Sequence, residues 1–137
     1  MQLDDLVENF EFLDNWEERY RLLIDLGRQL PELPAEAQTE ENRVEGCTSN
    51  VWLIHEVEPG PPPRLNFRAD SDAFIVKGLI AIILMAYSGR TPEEIQGTDI
   101  KGLFEKLGLE QQLTPNRRNG FFAMVERIRE IAAREAA

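Results

Sequence analysis

The chain carries one thiol, Cys47, and one imidazole, His55, so chemistry that needs a soft nucleophile or a neutral-pH base is confined to these two side chains. Cys47 lies in Arg43-Val44-Glu45-Gly46-Cys47-Thr48-Ser49-Asn50-Val51-Trp52, a run of small and polar residues leading into a strand-like segment. Gly46 removes a side chain beside the sulfur and tolerates φ values that other residues avoid. Both properties suit close approach by a second protein and a swing of the thiol. From composition alone, Cys47 fits equally well the role of a small buried apolar residue. His55 stands eight residues further on, inside a strand pattern, and could form a cysteine–histidine dyad only if the fold brought the two together; a strand-surface histidine is the simpler reading. One Cys with one His cannot close a zinc or iron–sulfur site from this chain. The adjacent carboxylates Glu40-Glu41 and Glu93-Glu94 read as solvated charge, and no glycine-rich phosphate loop is present.

The elements that must position the Cys47 loop follow from periodicity. Leu3, Leu6, Val7, Phe10 and Leu13 keep helical spacing, and Trp16, Tyr20, Leu23, Gly27 and Leu30 repeat it after a break at Asp14-Asn15. Asn15 with Glu18 predicts a capping box, and Pro31 and Pro34 end the second helix near Leu30. An acidic, irregular link runs from Ala35 to Asn42. Val51 to Val57 and Leu65 to Ala69 predict strands, joined through Pro59-Gly60-Pro61-Pro62-Pro63 as an antiparallel hairpin, with a short extra strand near Arg43-Val44. Val51 and Trp52 are expected to anchor the first strand in the core. Ser71 to Tyr87 predicts a central helix, apolar on most sides, with Asp70 or Ser71 as its cap and Asp72 facing its dipole. Thr91-Pro92-Glu93-Glu94 starts a short helix, Ile100 to Leu107 forms another, and a last helix from Pro115 or Asn116 carries Phe121, Val125, Ile128 and Ala132 on one face. That last helix is expected to pack on the central helix or the sheet.

With 137 residues, 42% of them hydrophobic and 29% charged, the chain reads as one domain over 1-137 with a core of its own. The expected class is α+β: a small antiparallel β-sheet, its hairpin at about 51-69, flanked by segregated helices. A formal charge of −10 opposes attraction to nucleic acid and to an anionic membrane surface. The acidic start Met1-Gln2-Leu3-Asp4-Asp5 resembles neither a secretory signal nor a transit peptide, and the most apolar window, Leu79 to Tyr87, is about half of the ~20 residues needed to span a bilayer. A lone cysteine fits a reducing compartment. These features together predict a cytoplasmic location, with no nucleic acid or membrane partner.

The loop resembles the sulfur-acceptor loop of the SufE family, whose pattern runs approximately V-x-G-C-x-S-x-V-W. The resemblance extends in order through Asn15-Trp16-Glu17-Glu18-Arg19-Tyr20, Leu26-Gly27, Leu30-Pro31, Asp70-Ser71-Asp72-Ala73, Ile75-Val76-Lys77-Gly78-Leu79 and Leu113-Thr114-Pro115-Asn116-Arg117 with Gly120. It implies a fold similar to that of iron–sulfur scaffold proteins. It also implies a sulfur acceptor and activator that takes persulfide sulfur from a SufS-type, or paralogous, pyridoxal-phosphate cysteine desulfurase onto Cys47 and relays it to a downstream iron–sulfur scaffold. On this reading the protein is a carrier rather than a stand-alone enzyme and holds no cofactor of its own, since the pyridoxal phosphate belongs to the partner. Gly46, Thr48 and Ser49 are expected to shape the loop, with hydroxyls and amides for a persulfide anion. Arg117, and second Arg43, are the expected cations toward thiolate or partner. Glu45 would push the thiol pKa the wrong way, which implies that activation is completed in the complex. The family further implies an apolar shelter for the cysteine and its outward movement on docking. The rivals are an iron–sulfur scaffold, which would need ligands from another chain, and a hydrolase using Cys47 with His55. Arg118 and the proline run depart from the family pattern without touching the acceptor motif.

Overall fold

The computed structural model describes residues 3–13, 15–46 and 49–136. Two helices open the chain, α1 (Leu3–Phe12) and α2 (Trp16–Arg28), followed by a single 3-10 turn (Ala35–Ala37) within the otherwise irregular link. The hairpin comes next, β1 (Val51–Glu58) and β2 (Arg64–Ser71), and then α3 (Phe74–Tyr87), α4 (Pro92–Gln96), α5 (Ile100–Lys106), α6 (Leu109–Gln112) and α7 (Pro115–Ala136). This is the expected α+β arrangement. The strands pair antiparallel from Val51 opposite Ser71 to Glu58 opposite Arg64. Period-2 alternation sends Val51, Leu53, Leu65, Phe67 and Ala69 into the core. The same alternation corrects one expectation: Val51 is buried but Trp52 is only half-buried, because it points to the opposite face. The short strand expected near Arg43-Val44 is a bridge from Arg43 to Trp52, supported by bonds from Val44 N to Val51 O (2.8 Å) and from Leu53 N to Asn42 O (2.9 Å).

Helix α3 runs through the middle of the core, as its nearly all-round apolar sequence requires. Helix α2 crosses it where two glycines meet: a Cβ on Gly27 would lie 2.8 Å from Gly78 N and from Phe74 O, and one on Gly78 would collide with the Leu23 carbonyl. The crossing therefore brings backbone against backbone and fixes the first turns of α3. On the other side α7 packs against α3 and α4, with Phe121, Val125, Ile128 and Ala132 buried as the spacing predicts. Phe104 and Phe121 approach to 4.9 Å between ring centroids, joining α5 to α7.

At the helix ends, Asn15 Oδ1 accepts from Glu18 N at 2.9 Å, the forward half of the expected capping box. The box at Thr91 and Glu94 is complete. The start of α3 differs from expectation. Asp70 and Ser71 belong to β2, the helix begins at Phe74, and Ala73 occupies the cap position without a side-chain bond. Both expected caps are already engaged. Ser71 is held in the ladder opposite Val51, and the buried Asp70 carboxylate accepts from Leu33 N (3.2 Å) and Ser71 N (2.8 Å) and pairs with Lys77 Nζ (3.5 Å). Helix α6, four residues long, had no sequence signal strong enough to predict it. Among the described residues, no helix is long and apolar enough to cross a membrane.

Candidate functional site

The pairing of Val44 with Val51 makes a neck, and Glu45, Gly46, Ser49 and Asn50 stand beside it. Both valines are buried, at 2% and 0% exposure, so the loop stands on core rather than on mobile chain. Cys47 and Thr48 lie outside the described residues; their neighbours Gly46 and Ser49 fix where the loop rises and descends. Gly46 has φ 91°, in the region that favours glycine, and a Cβ there would sit 3.2 Å from the Ala123 Cβ on α7. On the descending side, the Ser71 hydroxyl donates to the Asn50 carbonyl at 2.7 Å, and Asn50 Nδ2 donates to Asp72 Oδ2 at 3.0 Å. Asp72, expected to face the α3 dipole, serves instead as the outer half of this clip.

Ser49 and Val51 border an apolar cavity of about 20 Å³ whose other walls include Val76 and Leu79 from α3 and Asn116, Arg117 and Phe121 from α7. By the general requirement of roughly 10–15 Å³ for one water-sized sphere, it has room for a single atom of that size. Thr114 Oγ1 accepts from Arg117 N at 3.3 Å, which shapes the first turn of α7, and Pro115 at the first helical position loses no intrahelical bond. The positive dipole end of this 22-residue helix, through Asn116 and Arg117, therefore borders the cavity that Ser49 also lines. Arg117 adds a full charge there, with its side chain exposed.

The opposite side of the loop is acidic. A groove of about 260 Å³ is lined by Val44, Glu45, Ala123, Glu126, Arg127 and Glu130. Arg43 does not reach across it: its guanidinium pairs with Glu40 at 3.9 Å, and its Nε is buried with no hydrogen-bond partner among the described residues. Arg127 Nη2 donates to the Glu41 carbonyl at 3.2 Å, tying the chain before the neck to α7. His55 is engaged elsewhere. Its Nε2 lies 3.5 Å from Glu135 Oε1 near the end of α7, and its ring packs against Phe67 with centroids 6.3 Å apart. It stands four residues along β1 from Val51, a rise of about 13 Å.

The structure thus brings Ser49 and Arg117 to one cavity, sets Gly46 against α7, and directs Arg43 to Glu40. Sequence reasoning missed Asn116 as a lining residue and the clip from Asn50 to Asp72. Thr114-Pro115 signalled a helix start, but nothing local to it signalled that this start borders a loop more than sixty residues earlier. Among the described residues, no group of three or more His, Cys, Asp or Glu side chains converges on one point.

These features define a small α+β protein that presents a short thiol-bearing loop at the foot of a hairpin, beside the start of a long helix. Residues 4–132 match the family model for SufE, an Fe-S metabolism associated domain. The chain belongs to the SufE family and takes part in iron–sulfur metabolism. It is 48% identical over 136 residues to an uncharacterized SufE-like protein of Rhizobium etli, covering 98% of this chain and 92% of that one. A second SufE-like protein, from Rhizobium meliloti, is 45% identical over 128 residues, covering 93% and 91%. The solution structure of a hypothetical protein from Thermus thermophilus superposes with a TM-score of 0.76 at 24% identity, over 98% of this chain and 95% of that one, a likeness of fold.

Proposed function

We propose that this protein accepts persulfide sulfur on Cys47 from a pyridoxal-phosphate cysteine desulfurase and passes it to a downstream iron–sulfur scaffold. In the transfer step, the Cys47 thiolate attacks the outer sulfur of the donor's cysteine persulfide. A new sulfur–sulfur bond forms on Cys47, the donor's own bond breaks, and the donor cysteine leaves as thiolate. The number of thiolates and the oxidation level of the pair are unchanged, so no outside oxidant or reductant is needed.

The observation that carries this reading is the grouping of Ser49, Arg117 and the first turn of α7 around one apolar cavity at the acceptor loop. A free thiol near pKa 8.5 is only a few per cent ionised at neutral pH, and each unit of lowering corresponds to about 1.4 kcal/mol of preference for the anion. A helix N-terminus and a guanidinium act in that direction, and the apolar walls suit a neutral thiol or a sheltered sulfur. Glu45, Glu126 and Glu130 on the opposite side act against the anion, which assigns full activation to the docked state.

The test is intact-protein mass after incubation with a desulfurase and cysteine. The wild type gains one reducible sulfur and Cys47→Ser gains none, while Arg117→Ala slows single-turnover loading about tenfold or more, the scale of one lost charge-assisted contact. Sulfur bound to the Cys47→Ser variant, or an acyl group or iron on the wild type in place of sulfur, would refute the reading.

A further inference from the structure

Phe74 is the first residue of the most buried helix in the fold, yet the residue is 60% exposed. Its setting is rigid. Its carbonyl lies against the glycine crossing with α2, and Lys77, one turn on, holds its ammonium 5.8 Å from the ring centroid while also pairing with the buried Asp70. The cation–π contact favours one placement of the ring before anything binds it, which lowers the entropy cost of using it in an interface.

We propose that Phe74 is the apolar anchor of the surface on which the persulfide-bearing desulfurase docks, an inference that rests on the sulfur-acceptor reading above. Sulfur transfer requires direct contact between the donor and the loop. Ser71 is the ladder partner of Val51, where the loop ends, and Asn50 is clipped to Asp72. Phe74 is three residues beyond Ser71, so it lies no farther than about 17 Å from Val51 even with the intervening chain fully drawn out. A specific interface covers roughly 800 Å² on each partner, a patch some 32 Å across, so one donor surface is wide enough to touch both the loop and the first turn of α3. Exposed, ordered aromatic rings are the side chains that dominate such interfaces, and covering this one strengthens the contact with Lys77 by removing water from it. The partner surface that fits is a concave apolar pocket, placed beside the donor's persulfide cysteine and free of a competing cation.

The experiment compares wild type, Phe74→Ala and Phe74→Leu with Val57→Ala, a control at the far end of the hairpin whose side chain is also exposed. Titration calorimetry against the desulfurase gives Kd, single-turnover loading at saturating desulfurase gives the transfer rate, and loading from glutathione persulfide reads the thiol without docking. Phe74→Ala is expected to weaken Kd at least tenfold, with Phe74→Leu between it and wild type. Transfer at saturation and loading from the small persulfide should stay within twofold of wild type, and Val57→Ala should match wild type throughout. An unchanged Kd for Phe74→Ala overturns the proposal. So does a Kd change accompanied by an equal loss of glutathione persulfide loading, which would place Phe74 in loop structure instead. A concentration-dependent dimer of wild type that vanishes in Phe74→Ala with donor affinity intact would assign the ring to a second copy and overturn it as well. Failure of the wild type itself to take sulfur from the desulfurase refutes the acceptor reading, and this proposal with it.

Discussion

Substituting Gly46 by Ala tests whether the rise of the chain from the Val44–Val51 neck depends on backbone geometry. At φ 91° an alanine is strained by roughly 1–3 kcal/mol. Its Cβ would also meet the Ala123 Cβ at 3.2 Å, closer than comfortable packing, against a helix that the core holds in place. Acting the other way, alanine lowers the entropy of the unfolded chain and returns about 0.4–1 kcal/mol. The net expectation is a loss of about 1–2 kcal/mol in urea denaturation, or a fall in Tm of roughly 3–8 °C. If the loop escapes the strain by turning over, the same free energy appears instead as slower loading of Cys47, about fivefold to thirtyfold. A double-mutant cycle with Ala123→Gly separates the two sources. Coupling between the sites reports the steric contact, and the uncoupled remainder reports the φ angle. A Gly46→Ala variant with wild-type stability and a wild-type loading rate would refute the assignment of this geometry to the loop.

Ser71→Ala removes the hydroxyl that donates to the Asn50 carbonyl and accepts from Ala73 N, and is expected to cost about 1–2 kcal/mol and to speed amide exchange at Ala73, measured by hydrogen exchange. Hydrogen bonding from the Thr91 backbone, and then from its side chain, holds the Glu94 carboxyl below its ordinary value of 4.5. A depressed folded-state pKa gives stability that is present above the unfolded value and lost as pH falls through the folded one. The wild type should therefore lose stability more steeply than Glu94→Gln below about pH 4.5, read from urea midpoints between pH 6 and 3. Parallel acid limbs would show that the capping box carries no charge-dependent stability.

Much of the architecture was readable along the chain because its causes are local. The hairpin follows from the β-branched and aromatic run at 51–57 and the proline turn. The start of α4 follows from Thr91-Pro92-Glu93-Glu94, whose capping box forms as written. The start of α3 was misplaced because Asp70 and Ser71 are good caps by type, and their actual partners, Leu33, Lys77, Val51 and Asn50, lie elsewhere in the chain. Val51 and Trp52 were both expected in the core, whereas the pleat assigns faces by position, and the two neighbours of Trp52 hold the inward places.

The sequence by itself determined the single thiol, the loop type around it and the family, because these depend on residue identity and order. Which groups surround that loop was decided only by tertiary packing. Arg117 and Asn116 reach the cavity beside Ser49 because α7 packs along α3, and Arg43, four residues from the cysteine, is drawn to Glu40 instead. The exposure of Phe74 was likewise beyond local reading: distant partners hold Asp70 and Ser71 in β2, so the helix begins at Phe74 and leaves that residue largely outside the core. Helical and strand periodicities report which residues share a face. The neighbour that face meets depends on contacts between segments tens of residues apart, and no local pattern encodes them.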